Sequence, residues 1–170
     1  MVRAWLVQEE KGLETKFVPL EELYKTSGVE YYQVDVDNYS SDPLLKNLVT
    51  GRGNVHQDVI EINPSEKPEV YQQEHFTSDD QLQLVLAGSA YFDVRDKYDE
   101  VIRIELLPGD LIVIPGGCFF SFTVDNKSQY KGVRYLKNAS YQVYHRHSDD
   151  IPSRKEYVHK LYNGAFDQPI

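Results

Sequence analysis

The rhythm of apolar and polar positions changes about halfway along the chain. Before residue 70 it is mixed. Val2–Val7 reads as a short strand. Leu20–Thr26 reads as a short helix stopped by Gly28, the residue usual where a left-handed cap is needed. Val29–Val36 is rich in β-favouring residues (Tyr31, Tyr32, Val34, Val36) and reads as a strand. Asp42-Pro43 opens a second helix, because Asp can cap free amides and Pro suits the first helical position. Leu44, Leu45 and Leu48 give that helix an apolar face, and Gly51 and Gly53 end it.

From residue 75 the pattern becomes short strands with turn punctuation. Leu82, Leu84 and Leu86 alternate with Gln81, Gln83 and Val85, and Tyr91–Arg95 follows after Gly88. Asp96–Glu100 is a polar turn, Val101–Leu107 a strand and Pro108-Gly109 a turn signal. Leu111–Ile114 closes on Pro115-Gly116-Gly117, and Phe119–Val124, Lys131–Leu136 and Tyr141–Tyr144 continue the series. Short strands at this spacing argue for a sandwich or barrel of about eight to ten strands. The tail returns to helix: Ser153 and Glu156 have capping-box spacing, and Tyr157, Val158, Leu161 and Tyr162 form an apolar stripe before Asn163-Gly164. The expected fold is mainly β with peripheral helices, a β-barrel or jelly roll. It fills one domain over residues 1–170, with an N-terminal α/β section (1–70), a barrel core (71–146) and a C-terminal helix (152–163).

Composition narrows the function. Length, 170 residues, suits one domain, and 41% hydrophobic with 26% charged residues excludes whole-chain disorder. Eighteen Lys+Arg against 27 Asp+Glu gives a net charge of −9, which repels phosphate backbones, so no nucleic acid is expected as a partner. The apolar stretches Leu82–Phe92 and Leu106–Phe122 are interrupted by Gly, Pro, Asp, Gln or Ser, so no membrane insertion is expected. The start, Met1–Leu6, does not read as a secretory signal, and the cytosol is the expected compartment, with the nucleus also open to a chain this small. Cys118 is the single cysteine, which rules out an intramolecular disulfide and a Cys-rich zinc site. Thirteen tyrosines read as amphipathic aromatics on half-buried strands.

Two segments carry the spacing of the cupin barrel: His75-x-Thr77-x-x-x-Gln81 with Gly88 beyond it, then Gly109, Pro115-Gly116-Gly117 and Phe120. In metal-binding cupins these frames hold H-x-H-x(3)-E and a final His. Residues two apart on a strand face the same side, so both imidazoles reach the barrel interior. Three imidazoles and a carboxylate leave open positions on a six-coordinate ion. Here His75 remains, as a relic of that set, but the other ligand positions are Thr77, Gln81 and Phe120.

The chain resembles the acireductone dioxygenase family over nearly its whole length. Met1-Val2-Arg3-Ala4-Trp5, Leu20-Glu21-Glu22-Leu23, Gly28-Val29, Asp37-Asn38-Tyr39 and Asp42-Pro43 are similar to its first section. Glu74-His75, Gly88-Ser89-x-Tyr91–Lys97, Ile102-Arg103-Ile104, Gly109-Asp110 and Phe122-Thr123 are similar to its core, and Arg154–Tyr157 to its tail. Tyr91–Lys97 is the most specific run. The resemblance implies a dioxygenase of methionine salvage that uses Fe²⁺ or Ni²⁺. The departures imply the opposite for this chain. Three of four ligand positions are replaced, the family's substrate-binding Arg position is Gln83, a Trp near the site is Tyr141, and the helix before His75 is shorter. Four losses converge on one pocket while the scaffold residues persist.

His75 reads as a core histidine held by one hydrogen bond, with the relic-ligand reading beside it. Asp79, four residues on, could share its face, but Asp79-Asp80 more often caps a solvated turn. Cys118 reads as a small apolar filler and His145-x-His147 as a solvated loop, and His56 and His159 carry no signal. Phe120 and Phe122 plug the barrel, with Phe119 on the opposite face. Arg95 and Arg134 pair with carboxylates, with residual anion binding as the other reading. The expectation is an inactive homologue with no catalytic residue, no resident metal or other cofactor, and an unidentified protein partner or small ligand. The alternative is an active metal-dependent acireductone dioxygenase with an altered site around His75.

Overall fold

The computed structural model describes residues 3–7, 15–65, 73–125, 127, 129–140 and 142–168. Its described elements are β1 (Arg3–Leu6), α1 (Leu20–Ser27), β2 (Glu30–Gln33), a 3-10 helix (Val36–Ser41), α2 (Pro43–Arg52), β3 (His56–Ile62), β4 (Phe76–Thr77), β5 (Gln81–Ala87), β6 (Ala90–Arg95), β7 (Val101–Leu106), β8 (Asp110–Ile114), β9 (Phe120–Val124), β10 (Tyr130–Leu136), β11 (Val143–Tyr144) and α3 (Pro152–Tyr162). All strand pairs are antiparallel. One sheet has the order β1-β7-β6-β9 and the other β2-β8-β5-β10-β3, with β11 and β4 forming a short third pair.

The expected mainly-β architecture is what forms. Phe92, Val94, Ile102 and Ile104 of the four-stranded sheet meet Ile60, Ile62, Val85, Ile112 and Ile114 of the five-stranded sheet in one buried cluster. Phe120 and Phe122 lie in that cluster as well. A second buried cluster covers the other face of the five-stranded sheet, where Leu82, Leu84, Leu111, Val113 and Val133 pack under Val34 and Leu45. Strand β5 is therefore buried on both faces over most of its length. The leucines of its alternation turn away from the barrel interior, and Gln81, Gln83 and Val85 face it.

The turns follow local chemistry. Gly88 joins β5 to β6 at φ 74°, and a Cβ there would lie 2.6 Å from the Gln129 carbonyl oxygen, so only glycine fits. Asp42 caps α2 by accepting from the Leu45 amide at 3.1 Å, with Pro43 at the first helical position.

Some boundaries differ from the sequence reading. The strand expected over Val29–Val36 ends at Gln33, because Asp35 accepts from the Asp37 amide at 3.1 Å and starts the 3-10 helix. The capping box at Ser153 and Glu156 does not form. Pro152 takes the first helical position, which puts Ser153 one residue too far in, and Ile151 stands at the cap with no side-chain hydrogen bond. Tyr157 and Leu161 are buried as the stripe requires, whereas Tyr162 is 66% exposed. Val2, Tyr141 and the segment 66–72 that bears on the shortened helix lie outside the described residues. Within the described residues no helix is long and apolar enough to cross a membrane.

Candidate functional site

His75 and Phe120 face each other across an isolated antiparallel bridge. The His75 amide donates to the Phe120 carbonyl at 3.0 Å, and the Phe120 amide donates to the His75 carbonyl at 2.8 Å. Opposed residues of an antiparallel pair project to the same side. The imidazole and phenyl rings accordingly meet with centroids 4.5 Å apart. Both side chains are buried, at 5% and 4% exposure. Phe92 continues the aromatic stack, 6.0 Å from Phe120 and 5.0 Å from Phe122.

The other expected positions divide. Gln81 and Gln83 line the same cavity as His75 and Phe120. Gln83 donates through Nε2 to the Tyr130 hydroxyl at 2.7 Å. Tyr130 reaches it by curling over Gly132, where a Cβ would lie 2.4 Å from the hydroxyl oxygen. Burial pushes the Tyr130 phenol well above its ordinary range, so it stays protonated. The buried Gln81 Oε1 has no hydrogen-bond partner among the described residues. Thr77 turns aside: its hydroxyl donates to the Asp79 carbonyl at 3.0 Å, and the residue lines a separate polar cavity of about 170 Å³. The cavity that remains at His75 has a volume of about 10 Å³, room for about one water molecule.

These residues do not fit the divalent ion that the resemblance implies. One imidazole, one neutral amide, a hydroxyl turned to a neighbouring carbonyl and a phenyl ring offer little to Fe²⁺ or Ni²⁺, which take imidazole and carboxylate donors. The His75 Nδ1 lies 2.7 Å from the Gln73 carbonyl oxygen and donates to it, so the neutral ring has only Nε2 free as a donor atom to a metal. Among the described residues no group of three or more His, Cys, Asp or Glu side chains is arranged to hold a metal ion.

The remaining candidates fall into structural roles. Asp79 is about half exposed, with Oδ1 3.8 Å from the Lys137 amine. Cys118 is fully buried, and burial pushes its thiol up to about 11, as for an apolar filler. Phe119 lies on the opposite face from Phe120, packed edge-on against Phe76 at 5.3 Å with the Arg154 guanidinium 4.5 Å over its ring. Arg95 donates to Glu74 at 2.7 Å, and Arg134 pairs with Asp58 while lining the His75 cavity.

Sequence reasoning missed two features. Tyr130 carried no signal, standing just before the strand expected over Lys131–Leu136 and joining it in the structure. His145, read as part of a solvated loop, is exposed, yet its ring centre lies 6.5 Å from that of His75. Pairing of β11 with β4 brings it there, and the Arg146 guanidinium fastens the segment by donating to Glu74 at 2.7 Å.

Burial lowers the His75 pKa, and the nearby His145 adds to this, against a raising effect of the Gln73 carbonyl. The folded state therefore holds His75 neutral in a pH range where the unfolded chain binds a proton. Stability is present above the ordinary histidine value near 6.5 and falls as pH drops below it. His75→Asn, which keeps a donor toward Gln73 but does not titrate, should lose less melting temperature than wild type between pH 7.5 and pH 5. Equal losses in thermal melts would show that His75 does not contribute.

The ARD/ARD' family profile matches residues 7–143. The acireductone dioxygenase of Gallus gallus is 35% identical over 180 residues, covering 97% of this chain and 99% of its own. A Sorghum bicolor protein named probable inactive acireductone dioxygenase 2 is 32% identical over 162 residues, covering 91% of this chain and 89% of its own. Among solved structures, the Bacillus anthracis acireductone dioxygenase, which holds a cadmium ion in its active centre, superimposes with a TM-score of 0.66 at 20% identity, over 83% of this chain and 95% of its own. The barrel, the family profile and relatives matched over most of their length converge on one conclusion: the chain belongs to the acireductone dioxygenase family.

Proposed function

We propose that this chain is a non-catalytic member of its family that binds no resident metal and acts by binding. The observation that carries the proposal is the Phe120 ring, packed 4.5 Å from the His75 imidazole at the position where the family places a fourth ligand. The reaction needs a metal with open positions to hold an anionic substrate and bring it together with dioxygen, and side chains alone do not supply that electron path. Losing even a residue that only orients a ligand costs about 10–100-fold in metal affinity, and direct ligands cost more. The name of the Sorghum bicolor relative supports the same reading. A cavity of about 10 Å³ leaves no room in the barrel for an organic ligand, which favours binding at the outer surface.

The test is elemental analysis of protein purified without added metal, joined to an oxygen-uptake assay with acireductone and either Fe²⁺ or Ni²⁺. The expected result is far less than one Fe or Ni per chain and no uptake above the uncatalysed rate. Near-stoichiometric metal, or turnover that His75→Ala abolishes, would establish the active alternative.

A further inference from the structure

Away from the barrel interior, a pocket of about 260 Å³ opens between α1, β2 and the segment after α3. We propose that it binds an alkylammonium head group through an aromatic cage. Its walls include the rings of Tyr24, Tyr31 and Phe166. Tyr24 and Phe166 stand nearly perpendicular, at 73°, with centroids 5.5 Å apart, the arrangement of two adjoining walls. The ring faces carry the negative lobe of the aromatic quadrupole, which attracts a cation without requiring a hydrogen bond. Glu21 and Asp167 are also among the lining residues, against one cation, Lys25, so the charged residues of the lining sum to a net negative charge. A chain of net charge −9 adds a long-range attraction for cations.

The walls are held before any ligand arrives. The Tyr31 hydroxyl donates to Asp110 at 2.7 Å. Phe166 rests on Gly28, where a Cβ would lie 2.7 Å from its ring, and the Ala165 amide donates to the Lys160 carbonyl at 3.1 Å to shape the turn before it. Preorganised walls lower the ordering cost of binding. The volume lies below the roughly 300–1,000 Å³ of pockets for drug-sized ligands, which suits a head group. This assignment is independent of the reading of the barrel interior, and neither metal content nor oxygen uptake bears on it.

The experiment is a calorimetric and NMR titration of the full chain with choline and with its neutral isostere, 3,3-dimethylbutan-1-ol. Choline should bind about tenfold tighter or better, with shifts centred on the Tyr24, Tyr31 and Phe166 ring protons. Phe166→Leu, which keeps the pocket apolar, should remove most of that preference. Tyr24→Leu serves the same purpose should the first variant fail to fold by circular dichroism. Glu21→Gln should weaken choline and leave the alcohol unchanged. A peptide bearing trimethyl-lysine distinguishes the sources: tighter binding than choline assigns the head group to a protein partner, and weaker binding assigns it to a free small molecule. Equal affinity for choline and the alcohol, no choline binding, or a preference that survives both ring substitutions would overturn the proposal.

Discussion

Phe120→Ala is expected to destabilise the protein by about 3–5 kcal/mol, the range for truncating a fully buried phenylalanine. For a chain of this length that corresponds to a fall in melting temperature of about 6–20 °C. Phe120 is 4% exposed and belongs to the cluster between the two sheets. Its ring contacts His75 on one side and Phe92 on the other. Truncation enlarges a cavity whose backbone walls are tied by the paired amides of residues 75 and 120, so collapse around the void is limited. The newly opened space is also polar on one side, where Gln81 Oε1 already lacks a partner among the described residues. Chemical denaturation of the two proteins decides the matter. A variant as stable as wild type would show that Phe120 is not a packing residue, and the argument that its ring replaces a ligand would lose its physical basis.

The second large effect concerns the ligand set. Thr77→His, Gln81→Glu and Phe120→His together should give a chain that retains Fe²⁺ or Ni²⁺ through gel filtration where the wild type is expected not to. Three of the four positions, His75, Gln81 and Phe120, already line one cavity, and the fourth, Thr77, borders a neighbouring one. Residues 75 and 120 are bridged directly, residue 77 is two along from 75, and residue 81 begins the strand whose inward positions line the same cavity. Recovery of oxygen uptake should be partial, since a site held about 1 Å off can lose about 10²-fold in rate. Gln83→Arg belongs in a separate, fourth step. Residue 83 sits opposite Arg134 in the β5–β10 register, so a second guanidinium there faces a like charge until an anion binds between them. Failure of the triple variant to retain metal would show that the barrel interior has repacked beyond the four positions.

These expectations draw on information of two kinds. The absence of strong metal donors at Thr77, Gln81 and Phe120 was legible from residue type, because coordination depends on which donor atoms a position carries. The buried, unreactive character of Cys118 was legible for a similar reason. The consequence of that absence was not. Only the folded chain shows that Thr77 satisfies its hydroxyl on the Asp79 carbonyl, and that Gln83 turns to Tyr130, 47 residues away. The Thr77 partner lies two residues on, in the turn before β5, whereas the Gln83 partner comes from another strand, β10.

The strands from β5 to β10 with their turns, and the start and stop of α1 and α2, were legible in the amino-acid sequence alone, whereas the strand β3 (His56–Ile62) was not expected. Glycine, proline and capping residues act through the local backbone, as Asp42-Pro43 and Gly88 do. The same local logic explains the miss at α3, where Pro152 outranks Ser153 for the helix start. Tertiary structure decided what lies on which side and beside what. The Leu82 and Leu84 side chains point away from the barrel because Leu45 of α2 and Val34 cover that face of the sheet, and on a strand buried on both faces the alternation does not say which side is the barrel interior. His145 meets His75, and Tyr24 meets Phe166, because β11 pairs with β4 and the segment after α3 folds back over Gly28. Such neighbours are separated by tens of residues along the chain, and the hydrophobic burial that brings them together is non-directional, so no local pattern records it.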